Sequence, residues 1–500
     1  MINSPTHRRR PSILPTALSA FLWAALAVGG VLLGAHGVQA AVVAAEAAHA
    51  GVPHLDGRLL SAAWVVPFAG ILLSIALFPL LAPMVWHHHF GKISAVWALA
   101  FLVPFAATFG VDLATYELLH TVLLEYIPFI VLLTALFTVA GGVRLTGSLV
   151  GTPMANTVGL ALGTVLASLM GTTGASMLLI RPLLRANEHR RHKVHTVVFF
   201  IFLVSNVGGS LTPLGDPPLF LGFLKGVDFF WPTIHLLAPM AFLSALLLVI
   251  YFVLDLVLHT RDPGKHPLIE GVHEREPIRI EGSVNLLLLV AIVGAVLLSG
   301  IWHPGTGVTL YHVTVSLETI VSNLLLLGIT GLSLALTSKQ SRRLNGFNWG
   351  PILEVAKLFA AIFLTIIPAI AILKAGTDGA LGAIISAVNE GGKPNPAAYF
   401  WATGILSSFL DNAPTYLIFF NTAGGDAKVL MTDLSLTLTA ISAGAVFMGA
   451  NSYIGNAPNF MVKAIAEERG VAMPSFFGYM AWSFGILVPL LGLTTLVFFL

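Results

Sequence analysis

The chain has 500 residues, of which 56% are hydrophobic and only 10% are charged. Because a soluble domain carries about 25% charged residues, this composition excludes an ordinary soluble protein and predicts a polytopic membrane protein. The formal net charge is only +2, and we expect no nucleic-acid partner. The chain has no cysteine, which excludes a disulfide framework, thiol catalysis and cysteine-ligated metal sites.

The N-terminal segment has two interpretations. Three arginines at residues 8–10 precede an apolar run over about residues 14–35, and residues 38–40 form a small-x-small pattern suited to signal peptidase. The run is also long enough for a first spanning helix, which needs roughly 20 residues. We therefore assign residues 1–40 to a cleaved signal peptide or to a first transmembrane helix, with residues 41–58 outside the cytoplasm in either case.

Apolar segments long enough to span a membrane recur along the rest of the chain. They lie near residues 62–86, 93–110, 122–141, 232–259, 283–303, 316–337, 352–373 and 475–499. Two other apolar stretches, 155–185 and 395–422, contain a polar turn and have arms too short to span, so we expect re-entrant hairpins. Segments 195–225 and 435–468 contain Gly/Pro/polar breaks and are expected to be broken helices.

One Gly/Pro/polar motif occurs twice. Residues 210–220 read Ser-Leu-Thr-Pro-Leu-Gly-Asp-Pro-Pro-Leu-Phe, and residues 450–460 read Ala-Asn-Ser-Tyr-Ile-Gly-Asn-Ala-Pro-Asn-Phe. The polar turns of the two hairpins, 171–174 and 411–414, have the same offset (450 − 210 = 240; 411 − 171 = 240). A break motif repeated in both halves of a membrane protein indicates a transporter's binding site.

Basic loops give the orientation, because lysine and arginine are enriched on the cytoplasmic side. The basic residues are Arg185, Arg190, Arg191 and Lys193 in one loop, and Lys339, Arg342 and Arg343 in another, four crossings later. The linker 261–281 falls on the same side, whereas 374–395 and 422–433 lie outside. The first hairpin then enters from the cytoplasm and the second from the opposite face, which predicts an inverted repeat.

The predicted fold is an all-α polytopic membrane protein with an inverted-topology repeat, two re-entrant hairpins and two broken helices. After residues 1–40, the parts are scaffold helices 41–121, the first repeat 122–260, the cytoplasmic linker 261–281, scaffold helices 282–350 and the second repeat 351–500. No soluble domain is expected.

Two carboxylates, Asp216 and Asp411, fall in the predicted breaks. Carboxylates within a bilayer are costly and mark ion or proton sites, although Asp411 would also serve as a helix N-cap and Asp216 as a turn residue. Neutral oxygen ligands for a hard cation would come from Thr172, Thr173, Asn206, Ser210, Thr212, Asn412, Asn451, Ser452, Asn456 and Asn459. Hydrogen bonding between helices is an equally good interpretation for any single one of them.

Three other groups have titratable side chains. Glu125 and Glu354 are candidate proton relays or structural ion-pair members, and Lys357 lies one turn after Glu354, close enough to pair with it. The histidines at 87–89 are adjacent to a tryptophan and are expected to be an interfacial anchor rather than a metal cluster. No His-Glu-x-x-His motif is present, so we do not expect an enzyme.

The motifs around the two aspartates resemble a known superfamily. Residues 205–217 (Ser-Asn-Val-Gly-Gly-Ser-Leu-Thr-Pro-Leu-Gly-Asp-Pro) and 408–415 (Ser-Phe-Leu-Asp-Asn-Ala-Pro-Thr) resemble the ion transporter superfamily, in its branch of NhaD-type sodium/proton antiporters and arsenite exporters. The resemblance covers roughly residues 60–500 and implies a scaffold, a mobile transport region, elevator-type alternating access and a homodimer. Sodium/dicarboxylate symporters of this superfamily carry Ser-Asn-Thr at both hairpin tips, which this chain lacks.

These observations favour sodium/proton antiport across a bacterial inner membrane, with Na⁺ at Asp216 and Asp411, and with no cofactor beyond the transported Na⁺ and H⁺. The alternative is a sodium- or proton-coupled transporter of citrate or another dicarboxylate on the same fold. A passive channel and an intramembrane metalloprotease are weaker alternatives.

Overall fold

The computed structural model describes residues 55–147, 150–261, 277 and 279–500. The expected signal peptide or first helix at residues 1–40 and most of the linker 261–281 therefore lie outside the described residues. Eight described helices are long and apolar enough to cross a membrane, or nine if one bent pair counts as a span. This confirms the expected all-α polytopic membrane fold.

The first half of the described chain is built from nine α-helices. They are α1 Val66–Leu81, α2 Pro83–Phe109, α3 Val111–Thr121, α4 Ile127–Ala140, α5 Pro153–Met170, α6 Thr172–Ala186, α7 Val194–Leu203, α8 Pro217–Leu224 and α9 Trp231–Thr260. A π-helical turn, Val122–Tyr126, joins α3 to α4, so that the two form one 30-residue span. The predicted segment 62–86 ends earlier than expected, because the chain breaks at Ala82 and α2 begins at Pro83.

The second half contains thirteen described α-helices. They are α10 Val284–Ile301, α11 Leu317–Leu336, α12 Lys339–Leu344, α13 Gly350–Thr365, α14 Ile367–Lys374, α15 Gly382–Val388, α16 Pro396–Phe409, α17 Asn412–Thr422, α18 Ala427–Met431, α19 Ser435–Met448, α20 Ala457–Glu468, α21 Phe476–Trp482 and α22 Val488–Phe498. The segment predicted as one span at 352–373 is bent by 40° between α13 and α14. Proline at position 368, in the first turn of α14, is compatible with a new helix start there.

Short antiparallel strand pairs and single helical turns complete the described chain. The strands are β1 Arg144–Thr146 with β2 Arg279–Glu281, β3 Gly307–Leu310 with β4 Val313–Ser316, and β5 Asn389–Glu390 with β6 Lys393–Pro394. The 3₁₀ turns are Gly57–Leu59, Ala62–Val65, Val207–Ser210, Gly376–Asp378 and Gly449–Asn451, and a second π turn is Ser483–Leu487. The β1–β2 pair ties the end of the linker to the loop after α4.

Helices α5 and α6 form the first predicted hairpin. Thr152 caps α5 by accepting a hydrogen bond from the backbone N–H of Ala155 at 3.2 Å, and a proline follows at the first helical position. The hairpin turns at Gly171, whose φ of +81° is strained for any residue with a side chain. In the second hairpin α16 ends at Phe409 and α17 begins at Asn412, with Asp411 as its N-cap.

The two broken helices run as α7, a 3₁₀ turn and α8, and as α19, a 3₁₀ turn and α20. Equivalent contacts recur 240 residues apart: the Thr212 hydroxyl donates to the carbonyl oxygen of Ser168 at 2.5 Å, and the Ser452 hydroxyl donates to that of Ser408 at 2.5 Å. Each hairpin is therefore fastened to its broken helix in the same way. The inverted orientation of the two halves in the membrane stays a prediction.

The broken segments occupy the centre of the packed core. Residues 199–203 of α7 and 440–448 of α19 are almost fully buried, whereas the long helices α9, α10 and α11 carry many exposed leucines and valines. Helix breaks leave backbone groups without helical partners, which a bilayer tolerates only when protein surrounds them. The outer spans thus shield the interior where the polar groups of the four breaks meet.

Candidate cation-binding site

The four breaks converge on a single carboxylate, that of Asp216, which is 1% exposed. Its Oδ1 accepts hydrogen bonds from the Thr172 hydroxyl at 2.9 Å and from Nδ2 of Asn456 at 3.1 Å. Its Oδ2 accepts a hydrogen bond from Nδ2 of Asn412. Thr172 and Asn412 come from the two hairpin tips, and Asp216 and Asn456 from the two broken helices, so that the site joins all four elements.

Local helix starts explain why these side chains face one another. Thr172 and Asn412 are the first residues of α6 and α17, while Asp216 and Asn456 are the N-caps of α8 and α20. Neither of these two N-caps bonds its own helix through its side chain, which leaves both side chains directed across the site. The partial positive charge at the N-termini of these helices offsets part of the cost of a buried carboxylate.

Asp411 supplies a second carboxylate, half-buried and directly before Asn412. Its Oδ1 accepts the backbone N–H of Ala413 at 3.0 Å, so the predicted N-cap role is present, and the next residue, Asn412, bonds Asp216. Neither carboxylate forms an ion pair with a basic residue of the described chain. The site therefore has no basic side chain of the described chain that would neutralise an ionised carboxylate.

Two buried amide oxygens at the helix breaks have no partner among the described residues, one in Asn412, which bonds Asp216, and one in Asn451, which bonds Ser408. A buried acceptor without a partner costs free energy, which a bound cation or an ordered water recovers. Carboxylate and amide oxygens are the ligands that hard cations prefer, and the donor set around Asp216 is of this kind.

The other predicted ligand residues form no described hydrogen bond with Asp216. Asn206 donates to Oδ1 of Asn459 at 2.7 Å and accepts from Asn456 at 3.2 Å, and so holds the Asn456 amide toward Asp216. The hydroxyls of Thr212 and Ser452 donate to backbone carbonyls of the hairpins, and the Ser210 hydroxyl donates to the carbonyl oxygen of Val207. These hydroxyls support the site instead of facing Asp216. Thr173 follows Thr172 in the first turn of α6 and is half-buried, with no side-chain hydrogen bond described.

The candidate relay glutamates lie elsewhere. Glu125 sits in the π-helical turn and accepts a hydrogen bond from the Lys225 ammonium at 2.5 Å, at the far end of α8 from Asp216. Glu354 accepts from the Trp86 indole at 3.3 Å. Glu354 and Lys357, which the spacing allows to pair, form no ion pair in the described chain, and the Lys357 ammonium lies over an aromatic ring of α2. In the described chain, no group of three metal-ligating side chains forms at the histidines 87–89 or elsewhere.

A second buried network of polar side chains, around Asp255, was not predicted from the sequence. Asp255 of α9 is fully buried, and its Oδ1 lies 2.5 Å from Nη2 of Arg190 and 2.7 Å from Nε2 of His195. Its Oδ2 accepts from Nδ2 of Asn156 at 3.2 Å and from the Tyr251 hydroxyl at 3.2 Å. Arg190 was expected in a basic cytoplasmic loop, and its side chain is buried. An aspartate inside the apolar sequence of α9 was the signal that could have drawn attention to this network.

Comparison with known proteins assigns the chain to a family. The family described as "Putative citrate transport" has a model that matches residues 57–499, a range that includes both hairpins and both broken helices. None of the curated proteins matches the chain at a significant level. The match fits the superfamily resemblance, since citrate-transporter-like proteins fall within it, while the narrower NhaD-type assignment stays a prediction. The chain is a multi-pass membrane protein that belongs to this citrate-transport family.

Proposed function

We propose that this protein is a secondary active transporter that exchanges Na⁺ for H⁺ at Asp216 and Asp411. The observation that carries the proposal is a buried carboxylate held by three neutral donors, next to a second carboxylate, at the meeting point of four helix breaks. Membership in a transport family supports transport over catalysis. The sodium ion is cargo, and no resident cofactor is part of the proposal.

Competition for the same oxygens would couple the two ions. Asp216 is buried and Asp411 is half-buried nearby, and two such carboxylates repel each other, so one of them is stable only when it is protonated or shares a cation. The amides of Asn412 and Asn456 now present their N–H groups to Asp216, and rotation of either amide turns its oxygen toward an entering cation. Sodium binding then releases a proton, and protonation releases sodium.

Alternating access would come from movement of the hairpins and broken helices against the scaffold helices, in a homodimer of the bacterial inner membrane. The matching attachments of each hairpin to its broken helix, through Ser168 and Ser408, favour movement of these elements together. In this account the site travels with its four breaks and keeps its donor set intact throughout the cycle.

The family match favours a second candidate, cation-coupled uptake of citrate. Citrate carries several negative charges, and Asp216 and Asp411 would repel it if they were unoccupied. Sodium or protons bound first at the two aspartates would remove that repulsion. The same carboxylates would then serve as the coupling site, and the organic anion would bind against the loaded site.

Everted membrane vesicles containing a pH-sensitive dye separate the two candidates. Antiport predicts that added Na⁺ dissipates a respiration-generated proton gradient in wild type and that citrate adds nothing. The response should be lost in Asp411→Asn and kept in Asp426→Asn, a matched control in which an exposed helix N-cap loses its charge. Sodium-driven proton movement in Asp411→Asn would reject the proposal, and a response that requires citrate would favour the second candidate.

A further inference from the structure

One ion pair joins the broken helix α8 to a different part of the protein. Nζ of Lys225 lies 2.5 Å from Oε1 of Glu125, and we call these two residues the boundary pair. Lys225 is the C-cap of α8, whose N-cap is Asp216, whereas Glu125 belongs to the π-helical turn between α3 and α4. Because α8 has only eight residues, a length of about 12 Å, it connects the candidate cation site rigidly to the boundary pair.

The Glu125 side of the pair is fixed to helices that are neither hairpins nor broken helices. In the same π-helical turn, the Tyr126 hydroxyl donates to the carbonyl oxygen of Ala356 in α13 at 2.9 Å. Near the other end of α4, Nη1 of Arg342 in α12 donates to the carbonyl oxygen of Thr138 at 2.7 Å. The span formed by α3 and α4 is therefore held together with α12 and α13.

The Lys225 side of the pair is fixed to the second hairpin. At the start of α8, Asp216 accepts a hydrogen bond from Asn412 of α17. Further along α8, Gly222 lies so close to the Tyr416 hydroxyl, also of α17, that no Cβ would fit there. Helix α8 is thus packed with the second hairpin, and it carries Lys225 wherever that group of helices goes.

Other contacts between these two groups of helices are apolar. The rings of Phe129 in α4 and Phe220 in α8 stack with their centroids 6.4 Å apart, and Met177 of α6 clusters with Phe137 of α4 and Ile352 of α13. The hydrophobic effect is non-directional, so such contacts do not fix one relative position. Among the ion pairs between described residues, the boundary pair is the one that joins the two groups.

Both members of the boundary pair are largely removed from solvent. The Lys225 side chain is 25% exposed and that of Glu125 is 12% exposed. A charge in such a place is poorly solvated, and losing its partner is costly. A shift of α8 along α4 by one helical turn, about 5.4 Å, would carry the ammonium beyond the separation of about 4 Å that defines an ion pair. The pair therefore stabilises this arrangement against any in which α8 has moved.

We propose that the boundary pair is a latch, which holds α8 and the cation site against the span formed by α3 and α4 and which must open in each transport cycle. This inference rests on the proposed function, because it requires the hairpins and broken helices to move against the other helices. A π-helical turn at Glu125 suits the role, since such turns are frequent at functional sites. Glu125 and Lys225 select a conformation and do not contact the transported ion.

Distances between spin labels test the latch without a transport assay. The chain has no cysteine, so Leu353→Cys on α13 and Leu162→Cys on the hairpin helix α5, both at exposed positions, give two defined label sites. The full-length protein in nanodiscs should show one dominant distance. Glu125→Gln and Lys225→Met should each raise the proportion of a second distance about tenfold, and the charge exchange Glu125→Lys/Lys225→Glu should return it toward the wild-type value. Glu467→Gln, which removes an ion pair within α20, is the control and should change nothing.

A crosslink gives a second measurement, which does not depend on the folding of a variant with one unpaired charge. In Glu125→Cys/Lys225→Cys, a short bifunctional maleimide with a cleavable disulfide should stop sodium-driven dye recovery in everted vesicles, and a reductant should restore it.

Unchanged distances in both single variants would overturn the latch, as would transport that continues in the crosslinked protein. A charge-exchanged variant as perturbed as the single variants would also overturn it. Absence of sodium-driven proton movement in wild type would instead reject the proposed function, and the distances alone would then decide the latch.

Discussion

Replacing Asp216 should separate its charge from its structural role. In Asp216→Ala the donors on Thr172 and Asn412 lose their acceptor, whereas Nδ2 of Asn456 keeps the carbonyl oxygen of Ser205 and Oδ1 of Asn206. A buried donor left unsatisfied costs about 1–3 kcal/mol, so the two of them predict a loss on the order of 2–6 kcal/mol in unfolding free energy. Asp216→Asn keeps one acceptor oxygen, and its new N–H₂ can donate to Oδ1 of Asn412, which is buried without a partner among the described residues. We expect this variant to lose only about 1 kcal/mol.

Thermal unfolding in detergent and sodium-driven dye recovery in everted vesicles are the two readouts. Wild type should have the highest melting temperature, Asp216→Asn a slightly lower one and Asp216→Ala a much lower one. Transport should be absent in both variants, although only one of them is destabilised. Sodium transport by Asp216→Asn, or equal destabilisation of the two variants, would refute the reasoning from these hydrogen bonds.

Three further substitutions test separate parts of the account. Asp411→Asn should have a melting temperature near that of wild type, because asparagine caps helices as well as aspartate does. The same variant should bind no sodium in a ²²Na⁺ assay. Gly171→Ala should cost about 1–3 kcal/mol in denaturant unfolding, since φ is +81° there and the new Cβ would lie 3.3 Å from the carbonyl oxygen of Leu214. Arg190→Met should cost about 3–5 kcal/mol, because the buried carboxylate of Asp255 loses its guanidinium partner and keeps only its contacts with His195, Asn156 and Tyr251. Arg190→Met/Asp255→Asn should melt at a higher temperature than the single variant. A melting curve for Arg190→Met that matches wild type would show that this ion pair is dispensable.

The helix breaks could be predicted from sequence because they depend on local chemistry. Glycine and proline interrupt helices wherever they fall, and a constant offset of 240 residues marks the equivalent breaks in the two halves. The helix pair expected at 155–185 is observed as α5 and α6, with its turn at Gly171, but α5 is long and apolar enough to cross a membrane, contrary to the expected short arms, and re-entry stays a prediction. The break around Asp216 was likewise visible, since helix α8 begins at the first of two consecutive prolines.

Contacts between distant side chains could not be predicted. Asp255 lies 65 residues from Arg190 and 99 from Asn156, and no periodicity links such positions. Spacing alone favoured a pair between Glu354 and Lys357, but Trp86 of another helix offers Glu354 a donor. Local spacing identifies which side chains can meet within a helix, whereas packing between helices decides which of them do.

The most direct test is whether sodium and protons compete for one site in the purified protein. Adding NaCl to wild type in weakly buffered detergent should release protons and acidify the solution, and choline chloride should not. The release should disappear in Asp216→Asn/Asp411→Asn and persist in Asp426→Asn. Sodium binding without proton release, or release of the same size from the double variant, would contradict the claim that these two aspartates exchange Na⁺ for H⁺.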